Sequence, residues 1–206
     1  MGIARFLTGC AGGGLRLSGA MRCCRIALTL AALASPAVAC DAEARRAEQM
    51  FGIPPLMLQA IIRHESSSRP LALNIDGKAY YPQSQDEAMR IVDENLPSAG
   101  NIDIGCGQIS MRYHGEYFKI RRDIAFDPWI NVVYASKVLL DNFKRHGSWT
   151  EAVARYHSGD EERQRRYLCL IMQKMLRLSG RDGEEPAYCR GSDSISGAQL
   201  EPKELR

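Results

Sequence analysis

Long apolar runs are missing from this chain of 206 residues. Nothing in it reaches the about 20 consecutive apolar residues that a membrane-crossing helix needs, which excludes a helical span. Histidine is scarce, with four in all. His64-Glu65 starts like a zinc-protease motif, but that motif needs a second histidine three residues after the glutamate, and Ser68 stands there. His114, His146 and His157 are scattered, which fits surface or supporting roles better than a metal set. The serine-hydrolase elbow is absent too, because Tyr156 occupies the place two residues before Ser158 where that turn needs glycine. There is no internal repeat and no low-complexity tract, so one folded domain is the expectation at this length.

A surplus of one charge sign also disappears once the first residues are set aside. Arg22 and Arg25 precede the apolar run 26–33, and Ala37-Val38-Ala39 offers small residues at a cleavage point, so residues 1–39 are predicted to be a secretory signal peptide, with Met21 as an alternative start. Arg5, Arg16, Arg22 and Arg25 are the only charged side chains of this leader, and its removal takes the formal net charge from +3 to −1. The basic balance therefore belongs to the leader, and nucleic acid is not an expected partner. Cys10, Cys23 and Cys24 leave with it. Cys40, Cys106, Cys169 and Cys189 remain, an even number in a chain bound for an oxidising compartment, which allows two disulfides in any of three pairings. Cys169 with Cys189 is a plausible local loop. Ala37-Val38-Ala39-Cys40 also resembles a lipoprotein cleavage box, making a lipid anchor at Cys40 a competing assignment. A catalytic thiol at Cys106 is an unattractive reading in that compartment.

The mature chain reads as mainly helical with a small strand region between helices, an α+β class. Residues 42–51 place Ala44, Ala47 and Phe51 on one face and stop at Gly52. Pro54-Pro55 opens a second helix that carries Glu65 near its end, before Ser66-Ser67-Ser68 and Arg69-Pro70 break the pattern. Between 71 and 101, Asp76-Gly77 and Tyr80-Tyr81-Pro82 predict strands with a turn, followed by a short helix over 85–96. Asp127-Pro128 caps a long helix with Val132, Ala135, Leu139 and Phe143 on one face, closed by Gly147. Ser148 and Glu151 form a capping box for a helix running into Tyr156. A last helix from about Asp160 carries Tyr167, Ile171, Met175 and Leu178. The expected boundaries are a leader over 1–39, a domain over 40–180 and a loose tail over 181–206, with Cys189 as a tether.

Glu65 shares a helix face with Leu58, Ile61 and Ile62, so its carboxyl is directed to the interior or a cleft. Desolvation there raises a carboxyl pKa toward neutrality, as a general acid requires. The competing reading is a helix-end glutamate turned to solvent. Acid-assisted cleavage of a glycosidic bond fits such a group, with Asp103 the nearest candidate for a second carboxylate and a turn-capping role its alternative.

Glu65-Ser66, then Asp103-Ile104-Gly105-Cys106-Gly107-Gln108-Ile109, then Ala152-Val153-Ala154-Arg155-Tyr156-His157-Ser158-Gly159 resemble, in order and spacing, the soluble lytic transglycosylase family with its lysozyme-like fold. The likeness spans about Cys40 to Leu178 and is nearest to small secreted members that accompany secretion or conjugation systems. It implies a periplasmic lyase acting on peptidoglycan glycan strands without metal or cofactor. Glu65 would act as acid and then base, Ser66 would orient it, Gln108 would contact sugar, and Tyr156 would lie beside the acid. His157, where asparagine is usual, would alter polarity at the site. Gly107 replaces a larger apolar residue, predicting a less filled floor, and Ser110 replaces a common asparagine. Trp129 stands where some relatives have the cysteine that would pair with Cys40. Two competing functions are a hydrolytic muramidase using Asp103 and a catalytically idle wall-binding protein.

Overall fold

The computed structural model describes residues 36–190, so the predicted leader lies almost wholly outside the described residues, as does the tail from 191 onward. Helix α1 (Pro36–Phe51) ends at Gly52, whose φ of +67° is the left-handed turn that glycine accepts most readily. Helix α2 (Met57–Glu65) starts later than Pro54-Pro55 predicts. The prolines form the turn before it, with the Met57 N–H donating to the Pro54 carbonyl, and the cap comes from a distance. The buried carboxylate of Glu48 on α1 accepts the backbone N–H groups of Leu56 at 3.1 Å and Gln59 at 3.0 Å, together with the Gln59 amide at 2.6 Å. These contacts supply the acceptor that the first turn of α2 lacks locally.

Four short antiparallel strands follow in the order β2-β1-β3-β4: β1 (Leu73–Ile75), β2 (Lys78–Tyr80), β3 (Ile102–Ile104) and β4 (Ile109–Ser110). The β1–β2 hairpin turns on Asp76-Gly77, both at positive φ, as a two-residue loop matched to strand twist demands. Helix α3 (Gln85–Asn95), capped by the Ser84 hydroxyl on the Glu87 N–H, crosses from β2 to β3. Asp103 therefore lies within a strand and not in a turn. Helix α4 (Met111–Phe118) and the 3-10 turn Arg122–Phe126 were not predicted; α4 spans about two turns and buries only Phe118 fully.

Helices α5 (Pro128–His146), α6 (Trp149–His157) and α7 (Glu161–Leu178) begin on the caps Asp127, Ser148 and Asp160, each accepting a backbone N–H from its first turn. They pack with α1 and α2 around Leu58, Ile61, Ile62, Val132, Leu139, Val153, Leu168 and Ile171, all fully buried. Each such side chain contributes about 1.5–3 kcal/mol on leaving water. The arrangement is the mainly helical, lysozyme-like α+β fold expected.

Among the described residues two disulfides are present, Cys40–Cys106 and Cys169–Cys189. The second ties the short turn Ala187–Arg190 to α7. The first gives Cys40 a partner in the Gly105–Gly107 loop and commits its sulfur, leaving no thiol there for a lipid thioether; Trp129 instead lies under the Arg46 guanidinium, 4.0 Å from the ring centre. Among the described residues no helix is long and apolar enough to cross a membrane.

Candidate active site

Glu65 is the last residue of α2, and its carboxyl reaches a cleft of about 290 Å³ between the sheet and the α6 end. The cleft is also lined by Asp103, Gln108, Tyr156 and His157, so five of the six residues singled out in the sequence come together. Ser66 does not. It is buried, its hydroxyl donates to the Ile62 carbonyl at 3.2 Å and accepts the Arg69 N–H at 3.2 Å, and it closes the helix end without touching the Glu65 carboxyl.

Burial pushes the Glu65 carboxyl up to about 7; a hydrogen bond from Tyr167 opposes this, and the nearby Asp103 adds to it. Tyr167 Oη donates to Glu65 Oε1 at 2.6 Å across 102 residues of sequence. Sequence reasoning assigned Tyr167 to the core stripe of α7, where it indeed lies. The missed signal is chemical: a buried tyrosine hydroxyl needs a partner. His64 meets the Tyr167 ring edge-on at 5.2 Å, and burial, with Lys174 and His157 nearby, depresses it to about 4, so it stands neutral beside the acid at neutral pH.

The sheet supplies the opposite wall. Because strand side chains alternate between faces, Leu73, Ile75, Ile102 and Ile104 pack inward while Asn74, Asp103 and Ser110, directly opposite one another across the strands, face the cleft. Asn101 joins this row: its amide nitrogen donates to Asp103 Oδ1 at 2.7 Å, and its oxygen accepts the Ser110 hydroxyl at 2.6 Å. Burial raises the Asp103 pKa, partly opposed by that Asn101 bond.

The loop between β3 and β4 carries Gln108, held at φ +48° by its own amide, which donates to the carbonyls of Ala72 at 3.2 Å and Gly105 at 3.0 Å. Asn131, fully buried on α5, braces the same loop: its nitrogen donates to Ile104 and Ala125 carbonyls and its oxygen accepts the Gly107 N–H at 2.8 Å. The floor at Gly107 is filled, contrary to the expectation from its small size. A Cβ there would lie 2.7 Å from Ala135 Cβ and 2.9 Å from the Tyr156 hydroxyl, which donates to Gly107 O. The tyrosine occupies the volume that a larger residue would need.

Behind the acid, outside the cleft lining, Asp41 joins α1 to the exit of α2. Its carboxylate accepts Arg63 in a fork at 2.8–3.1 Å and the buried Ser68 hydroxyl at 2.5 Å, next to Ser67 and Ser68 in left-handed backbone. Among the described residues no group of three or more His, Cys, Asp or Glu is placed to hold a metal.

A raised carboxyl in a cleft lined by hydrogen-bonding groups can protonate a leaving oxygen near neutral pH. The model of the family described as Transglycosylase SLT domain matches residues 43–168. The invasion protein IagB of Salmonella typhimurium, in strains SL1344 and LT2, is 26% identical over 147 residues, covering 68% of this chain and 79% of the relative. No solved structure gives a significant match. The family match takes in every residue named above as lining the cleft, and the chain belongs to the SLT family of transglycosylases.

Proposed function

We propose that the protein is a peptidoglycan lytic transglycosylase that cleaves between N-acetylmuramic acid and N-acetylglucosamine. The observation that carries this reading is the Glu65 carboxyl at the cleft, held up to about 7 by burial, so that one group is proton donor and proton acceptor in turn. Glu65 gives its proton to the glycosidic oxygen as the bond to the anomeric carbon breaks. As a carboxylate it then takes the proton of the muramoyl 6-hydroxyl, whose oxygen attacks that carbon and closes a 1,6-anhydro ring. The nucleophile is part of the substrate, so its positioning lowers the barrier without a second carboxylate. Gln108 and Tyr156 serve as sugar-side contacts, and His157 modifies polarity at the rim. In this reading the protein reaches the periplasm through the predicted leader and opens the wall locally on behalf of a secretion or conjugation apparatus.

A hydrolytic muramidase is the second reading, favoured by Asp103, which lines the same cleft and acts electrostatically on Glu65. Mass spectrometry of digested peptidoglycan separates them: anhydro ends are expected, and reducing ends would replace the lyase by the hydrolase. A purified chain without turnover would favour the wall-binding role.

A further inference from the structure

Four rings gather where Glu65 leaves α2, and Tyr167 is central to them. The His157 imidazole lies parallel to it, with centres 5.0 Å apart and planes 5° apart. Tyr156 is also parallel, at 6.5 Å, and His64 meets it edge-on. Tyr167 itself is buried, whereas His157, the last residue of α6, is the exposed member at the cleft rim.

A phenol directs its hydroxyl only as well as its ring plane is held, because a small tilt of the ring moves the oxygen at its tip the furthest. Hydrogen bonds weaken steeply with misalignment, so the groups that hold this plane control the 2.6 Å bond to Glu65. Parallel ring contacts at these separations are within the attractive range for aromatic pairs. We propose that His157 is a positioning residue: by stacking on Tyr167 it keeps the phenol hydroxyl on Glu65 and thereby tunes the proton affinity of the acid. The inference rests on Glu65 being the acid of the proposed reaction.

The direction of the effect follows from the hydrogen bond. A donor to the carboxylate favours the ionised form, and the Tyr167 bond pulls Glu65 down against the larger effect of burial. Loosening Tyr167 therefore raises the Glu65 pKa. The charged and titratable groups around the cluster are His64 and Glu65 from α2, Asp103 from β3, Tyr156 from α6, and Arg163 and Lys174 from α7. Burial, then Arg163, lowers the His157 pKa, so at neutral pH the stack is between two neutral rings.

The test is a carboxyl-carbon NMR titration of Glu65 in the full chain, with the alkaline limb of wall cleavage as second readout. His157→Ala is expected to raise the Glu65 midpoint by about half to one pH unit, the size of one weakened hydrogen bond. His157→Gln, which also lacks a ring, should do the same, while His157→Phe restores the stack and leaves the midpoint where it was. Tyr167→Phe should raise it at least as far, and the double variant with His157→Ala no further, since both act through one bond. An unchanged midpoint in both ringless variants, or shifts that add in the double variant, overturns the proposal. The titration reads this inference even in a chain without turnover, and hydrolytic products with the expected titration order would overturn the reaction reading alone.

Discussion

The hydroxyl of Tyr156 donates to the main-chain oxygen of Gly107 at 2.9 Å, and the space left beside that glycine is too small for a methyl group. Gly107→Ala is therefore expected to overpack the cleft floor and destabilise the protein by about 1–3 kcal/mol. Thermal melting measures this, and wall cleavage should fall with it. Adding Ala135→Gly removes the nearest clash and should recover part of the loss. A Gly107→Ala chain that melts like the parent contradicts the packing described here.

Glu65→Gln should abolish wall cleavage and keep the fold. It should also stabilise the chain at high pH. The folded pKa, about 7, is above the ordinary value of 4.5, so the folded state binds more protons than the unfolded state between them. Stability from this group is full below the unfolded value and is lost as pH rises through the folded one. Glutamine cannot ionise and avoids that loss, a difference of roughly 2–3 kcal/mol above neutrality. Urea unfolding at pH 4.5 and pH 8 measures it. Cleavage by the parent should decline above about pH 7 as the acid form is depleted.

Ser67 is exposed at φ +53°, two residues after the acid and next to the helix-closing Ser66. A left-handed conformation costs a non-glycine residue about 1–2 kcal/mol. Ser67→Gly relieves it, less the extra freedom of glycine in the unfolded chain, and should raise stability by about 0.5–1 kcal/mol. Denaturant midpoints report the change.

At Asp41 the order of two variants is informative. Asp41→Asn keeps an oxygen for the Ser68 hydroxyl, whereas Asp41→Ala leaves that buried hydroxyl without its acceptor. The alanine variant should lose more stability, by about 1 kcal/mol, and more activity. Equal losses would assign the effect to the half-exposed Arg63 pair instead.

The two disulfides should differ in weight. Cys40–Cys106 spans 66 residues of sequence and Cys169–Cys189 spans 20. On loop entropy, removing the first with paired alanines should cost roughly 4 kcal/mol and removing the second roughly 3 kcal/mol. Denaturant unfolding of the two double variants gives the order. Loss of the first should also depress cleavage, because Cys106 lies two residues before Gln108.

What could be read from the sequence was local. The caps Asp127, Ser148 and Asp160 each act within one turn, and the face shared by Glu65, Leu58, Ile61 and Ile62 is a matter of spacing, so these stood out. The start of α2 did not, because its capping carboxylate, Glu48, belongs to another helix. Asp103 looked like a turn residue because three-residue strands are too short to show alternation. Asn131 and Tyr167 lay within the helices α5 and α7, where a buried polar atom looks like core until its distant partner is known. Ser66 resembled a partner of Glu65 by adjacency alone, while its hydroxyl turns back to the helix it ends.

Cys40 and Asp41 are neighbours on α1, yet one is bonded to the loop carrying Gln108 and the other to the turn leaving Glu65. Two adjacent residues of one helix thus hold the loop that brings in Gln108 through a covalent bond and the segment that leaves Glu65 through hydrogen bonds, so α1 sets the register between the two site-bearing segments.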